Sequence, residues 1–198
     1  MSRREALGVM AALSFGAAFC PLPEWLDAAA AEHAATVAEE ALAAGPYTPK
    51  FFTPQEWRTV RLLADLVIPR DARSGSATDA GAPEFMDYIL SEYPDQQLGI
   101  RGGLAWLDAE SERRFGTRFV ESGGPSQRAV LDDIAWPGRA RPEMKPGSAF
   151  FSRFRDLIAA GFWSSPMGIA DLRYMGNTGM AEFSCPPEAL RKLGVSYG

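Results

Sequence analysis

Histidine is nearly missing from this chain: His33 is the only one among 198 residues. Proton shuttles and nitrogen-rich metal sites depend most often on imidazole, so little scope is left for that chemistry. Cysteine is almost as scarce. Cys20 and Cys185 are the only two, they lie far apart, and no C-x-x-C pair exists. Dithiol redox motifs and iron–sulfur ligation are thereby excluded. One histidine and two cysteines build no structural zinc site without help from carboxylates. Two cysteines permit a single disulfide in an oxidising compartment. A basic excess is also absent, since 20 Lys and Arg face 25 Asp and Glu for a net charge of −5. Such a chain does not neutralise a phosphate backbone, which argues against nucleic acid. The sequence holds no G-x-G-x-x-G, no P-loop and no G-x-S-x-G elbow. The usual signatures of dinucleotide, nucleotide and serine-hydrolase chemistry are missing with them. Internal repeats and alternating strand runs of useful length are missing as well.

What is present suits one soluble domain. Apolar residues make up 46% and charged residues 23% of the chain, ordinary fractions that do not point to disorder. The length fits a single domain, at most with appendages.

The first residues read as an address. Arg3 and Arg4 precede an uncharged, weakly apolar run from Gly8 to Phe19. That run matches the hydrophobic region of a signal peptide and is shorter than the ~20 residues an ordinary helix needs to span a bilayer. Paired arginines before such a run resemble a twin-arginine export signal, so Arg3 and Arg4 are the export residues and the periplasm is the expected location. The alternative is a helix with a basic start packed into the domain. Residues Ala28 to Ala31 offer A-x-A cleavage sites, which divides the chain into a signal segment, 1–30, and a helical domain, 31–198. Phe19 before Cys20 disfavours lipidation, because a lipoprotein signal has a small residue there.

Beyond the signal, helix signals dominate. Ala28 to Ala44 is rich in Ala and Glu, and Gly45-Pro46 stops it. Thr53-Pro54-Gln55-Glu56 is a capping box with proline at the first helical position. Trp57, Val60, Ala64 and Val67 follow as an apolar stripe, and Asp65 is spaced to pair with Arg61. Asp71 to Ala82 reads as a loop. Pro83 opens a helix carrying Phe85, Ile89 and Leu90. A longer helix from about Gln96 to Phe115 should bury Leu98, Leu104, Trp106 and Leu107, with Glu110, Glu112, Arg113 and Arg114 as a solvated end. Another begins at Pro125. Ser148 to Trp163 is the most apolar stretch, with Phe150, Phe151, Phe154, Leu157, Ile158 and Phe162 on a broad face. That face suits a core, and part of it could dock a partner. After Ser164-Ser165-Pro166 the chain reads as irregular until a last short helix from Pro187 to Leu193. The expected fold is all-α: an irregular helical domain with an N-terminal signal helix and an extended C-terminal tail.

No carboxylate pair stands out as an acid and base. Asp108/Glu110 and Asp132/Asp133 read as helix surface. His33 reads as an exposed or half-buried helix residue with no second ligand nearby.

Several ordered blocks carry a resemblance. Phe52 to Glu56, Leu63 to Asp71, Ala80 to Asp87, Leu104 to Asp108, Tyr174 to Thr178 and Cys185 to Pro187 together resemble the gluconate 2-dehydrogenase subunit 3 family. The resemblance spans roughly residues 50 to 190 and implies a small, non-catalytic subunit of a dehydrogenase acting on a sugar or polyol. It implies no cofactor in this chain and FAD in a large glucose–methanol–choline type partner. It further implies a cytochrome c subunit that takes the electrons, and a small subunit that helps the large one fold and leave the cell. It carries over no catalytic residue. A free-standing periplasmic enzyme or binding module with a carboxylate site stands as the alternative.

The segment from Asp171 to Pro187 is rich in Gly, Pro and polar residues and is expected to gain order along a partner. Tyr174, Asn177, Pro186 and Pro187 are its candidate contact residues. Cys185 sits beside two prolines. If the signal is cleaved near Ala30, Cys20 is lost and Cys185 is left over, which points to an intersubunit disulfide. A Cys20–Cys185 bridge and a free buried thiol are the rivals.

Overall fold

The computed structural model describes residues 25–173 and 187–195. Among them are eight α-helices, two short 3-10 turns and no strand. Helices are α1 (Ala28–Ala44), α2 (Pro54–Val67), α3 (Ala82–Glu92), α4 (Pro94–Phe115), α5 (Gly124–Ile134), α6 (Lys145–Ser164), α7 (Pro166–Asp171) and α8 (Pro187–Leu193). The all-α expectation holds. Residues 1–24 of the expected signal segment, with Arg3, Arg4 and Cys20, lie outside the described residues, as do Tyr174, Asn177, Cys185 and Pro186. Pro187 is the first residue of α8.

The helix boundaries follow local chemistry. The Asp27 carboxylate accepts from the Ala30 amide at 2.8 Å and so caps α1. Gly45 ends that helix with φ +106°, a conformation that excludes most side chains. The capping box on α2 is complete: the Thr53 amide donates to Glu56 at 2.8 Å and the Glu56 amide donates to Thr53 at 3.3 Å. Such a cap stabilises by about 1 kcal/mol. Prolines sit in the first turn of α2, α3, α4, α5, α6 and α7, where their missing N–H costs no helical bond.

Helix α6 is the centre. It packs against α1, α2, α3, α4, α5 and α7. Phe150, Phe151, Phe154, Leu157, Ile158 and Phe162 are all buried in the chain's own core. Each gains about 2 kcal/mol from leaving water. The aromatic face anticipated as a partial docking surface is therefore consumed within the domain.

Close approach around α6 depends on glycine. Helix α4 crosses α6 with Gly103 under the Phe150 ring, and α6 returns the arrangement with Gly147 under Trp106. A methyl group at either glycine would overlap the opposing ring. On another side of α6, small residues line α1: Ala31, Ala34 and Ala38 are buried where α1 meets α3 and α6.

Four sequence expectations fail here. Leu98 is 83% exposed, because α4 turns that side to solvent and uses Ile100, Leu104 and Leu107 instead. Arg61 does not pair with Asp65; it reaches Glu84 on α3 at 3.2 Å, while Asp65 accepts from Thr78. The acidic and basic end of α4 is not fully solvated, since Glu110 is 7% exposed. Pro166 does not begin an irregular tail but opens α7, where Ser165 accepts from the Gly168 amide.

The glycine crossing predicts a graded mutational response. Gly103→Ala and Gly147→Ala should each cost about 1–3 kcal/mol through overpacking. Gly102→Ala, which meets open space, should gain up to about 1 kcal/mol from helix propensity. Thermal denaturation of the three variants checks this; equal effects at Gly102 and Gly103 would contradict the packing described.

Candidate functional site

The buried charges come first, because a site with acid–base chemistry would be built from them. Asp87 on α3 is fully buried and accepts four hydrogen bonds. Tyr47 Oη and the Lys50 amide donate to one oxygen, each at 2.7 Å, and the Phe51 and Phe52 amides donate to the other at 3.0 and 3.1 Å. All four acceptor directions of the carboxylate are used, so it anchors the 47–52 segment to α3 and has none left for a substrate. Burial, then the neighbouring Asp87, push the Tyr47 phenol well above its usual range.

Glu84 lies one turn earlier on α3. One oxygen pairs with Arg61, and Oε2 is buried with no partner. Burial holds its pKa above the ordinary glutamate range. Asp65 takes two hydrogen bonds from Thr78, at 2.9 and 2.8 Å, and so ties the 71–81 connection to α2. Asp79 accepts from the Ser76 amide and from Arg70 at 2.7 Å each, and the Ser76 amide leads in lowering its pKa. At the end of α4, Glu110 receives Arg113 and Arg114 together, and Arg114 continues to Asp133 at 2.7 Å and the Met144 sulfur at 3.4 Å. Hydrogen bonding from Arg113 leads in holding Glu110 low.

Asp108, expected as plain surface, is half-buried and accepts from the Phe119 amide at 3.1 Å; burial raises its pKa. It lines an open cleft of about 270 Å³ between α2 and α4, together with Thr53, Glu56, Thr59 and Arg101. The charges of this cleft are engaged already. Glu56 closes the α2 capping box and pairs with Arg101 at 3.3 Å. Arg101 donates to the Phe51 carbonyl at 2.8 Å and lies over the Phe51 ring at 4.5 Å. His33 is exposed, with its ring edge-on to Tyr88 at 5.5 Å. Among the described residues, no group of three or more His, Cys, Asp or Glu is placed to hold a metal ion.

The candidate contact residues Tyr174, Asn177, Cys185 and Pro186 follow α7 in the sequence and lie outside the described residues. Arg73 fixes the end of α7 from 98 residues away. It donates to the Asp171 carbonyl at 2.7 Å and pairs with its carboxylate at 2.8 Å. Arg173 then takes φ +54°, a left-handed conformation uncommon outside glycine. Ile169 and Leu172 beside it are 37% and 39% exposed. Pro187, the last of the candidate contacts, starts α8; Leu193 at its end and Val195 beyond it are 72% and 55% exposed. Sequence reasoning missed the Arg73 clamp. A single arginine in a polar loop gives no signal of so distant a partner. Among the described residues, no helix is long and apolar enough to cross a membrane.

The buried Glu84 gives a pH test. Its folded-state pKa lies above the unfolded one, so burying the carboxyl costs nothing where both states are protonated. The cost is present at neutral pH, where the charge is buried. Glu84→Gln should therefore raise the thermal midpoint at pH 7, and the gain should shrink as pH falls from the raised pKa of the buried carboxyl to the ordinary glutamate value. A gain independent of pH, or a loss at pH 7, would contradict this reading.

Comparison with known proteins adds what geometry alone does not name. No curated protein and no solved structure matches the chain. The model of one family does, over residues 54–180, from the first residue of α2 through α7 and beyond it. The matched stretch contains Asp65, Glu84 and Asp87, the glycine crossing of α4 on α6, and Asp171 at the end of α7. With well over half its length matched, the chain belongs to the gluconate 2-dehydrogenase subunit 3 family.

Proposed function

We propose that this chain is a non-catalytic accessory subunit of a periplasmic FAD-dependent sugar or polyol dehydrogenase. It helps the flavin-bearing large subunit fold and accompanies it through the twin-arginine pathway. The large subunit is of the glucose–methanol–choline type, and a cytochrome c subunit receives its electrons. The observation that carries this reading is the family match, because a third subunit of a dehydrogenase complex implies a catalytic partner chain. Two further observations support it. Asp87, Asp65, Glu110 and Asp108 spend hydrogen bonds on the fold. Arg3 and Arg4 before an apolar run provide an export address that a partner without one could share.

Replacing Arg3 and Arg4 together by Lys tests the address. Periplasmic dehydrogenase activity should fall at least about tenfold while both chains remain in the cytoplasm. Unchanged periplasmic activity would refute a shared signal.

The tail is the proposed docking arm, with Tyr174, Asn177, Pro186 and Pro187 against the large subunit and Cys185 bonded to it. The clamp of Arg73 on Asp171 sets where the arm begins. Truncation must therefore fall after Arg173, because a cut at Pro166 would remove α7 and unsettle α6. The chain ending at Arg173 should stay folded and lose the large subunit on size-exclusion chromatography; a retained complex would refute the arm. On a non-reducing gel the native complex should run as one joint band that reductant splits. Two separate bands without reductant would refute the intersubunit disulfide.

A further inference from the structure

We propose that the cleft between α2 and α4 receives an arginine side chain of the large catalytic subunit, with Leu98 as the apolar rim of the same contact. The proposal rests on the reading of this chain as one subunit of a dehydrogenase complex. The cleft is open, measures about 270 Å³ and has a mostly polar lining. Glu56 and Arg101 pair with each other across it at 3.3 Å, and Glu56 also takes the Thr53 amide at the start of α2. Those two charges cancel, and the capped end of α2 has no need of an anion.

Two polar groups of the lining are left short. Asp108 takes the Phe119 amide on Oδ1 at 3.1 Å, and among the described residues no donor reaches its Oδ2. Thr59 is 3% exposed, yet the Gln55 carbonyl that its hydroxyl faces stands at 3.5 Å. An ordinary O–H···O bond measures about 2.5–3.0 Å. Burial leads in holding the Asp108 carboxyl above its usual range, and Glu112 and Glu121 push the same way. Arg118, the nearby cation, is drawn to Glu112 at 3.4 Å. A cationic N–H group entering the cleft supplies the missing donor and the missing charge together.

Size and lining narrow the ligand. Drug-sized pockets begin at about 300 Å³, so this cleft suits one side chain or a small amine. No aromatic ring lines it, so a sugar finds no face to stack on. The surface beside it favours a protein. Leu98, Arg101, Ala105 and Asp108 follow at spacings of three and four and share one stripe of α4. Leu98 is 83% exposed at the head of that stripe, and one turn on a methyl group at Gly102 would touch nothing. An exposed leucine beside a polar pocket suits an interface in which one anchor side chain is ringed by apolar contacts. Arginine is enriched at interface cores where lysine is depleted, and its five donors serve more than one acceptor.

Affinity for the large subunit, measured under reducing conditions so that no disulfide holds the chains, tests this. Asp108→Asn keeps an acceptor for the Phe119 amide and removes the charge; it should weaken binding at least about tenfold, with a shallower dependence on salt. Leu98→Ser should weaken it about threefold with the thermal midpoint of the free chain unchanged. Where Asp108→Asn lowers that midpoint, Leu98→Ser alone decides. Unaltered affinity in the deciding variant would overturn the proposal. Saturable binding of arginine amide to the free chain, with Asp108→Asn still holding the large subunit at full strength, would mark a small-molecule site and overturn it as well. If the unaltered chain binds no larger subunit, the subunit reading itself fails, and this proposal with it.

Discussion

A helix that is apolar around most of its circumference must be covered on every side. Helix α6 is such a helix: Phe150, Phe151, Phe154, Leu157, Ile158 and Phe162 point in too many directions for one neighbour to bury. Six helices answer that demand. Their approach is limited by side-chain size, which is why glycine appears where α4 crosses and alanine where α1 lies nearby. The same constraint draws α1 into the body although it precedes the family's matched region, 54–180.

Charge is organised around this core as well. Asp87 trades bonds to water for four hydrogen bonds, and a carboxylate so satisfied is tolerated in a low-dielectric interior. Glu84 is satisfied on one oxygen only and carries the cost of the other. Asp65, Asp79 and Glu110 hold a loop, a turn and a helix end. The 25 acidic residues therefore include a set that acts as mortar between helices.

Much of this was legible in the sequence because helix ends are written locally. Thr53 with Glu56, the prolines at 54, 83 and 125, and Gly45 mark boundaries that depend on neighbours within four residues. The bounds of α1 and α8 are those read from the sequence. The long-range facts were not legible. Periodicity says which residues share a face, but it does not say which neighbour covers that face. Leu98 was expected inside and points out. Arg61 was matched to Asp65 on its own helix, while Glu84 across the groove offered a charge in a drier place. Glu110 looked like surface until two arginines folded over it. The residues proposed to face a partner were legible only as composition and as resemblance, because their stretch of sequence has no periodicity to read.

The central claim is that this chain supplies a folded, exportable body and its partner supplies the chemistry. The most direct test is to purify the complex from its native host through a tag on this chain. Flavin absorbance and dehydrogenase activity on sugars and polyols are recorded, the chains are separated under reducing but non-denaturing conditions, and both are recorded again. The account predicts that flavin and activity travel together with a larger chain and leave this one colourless. Flavin or activity that stays with this chain alone would contradict it.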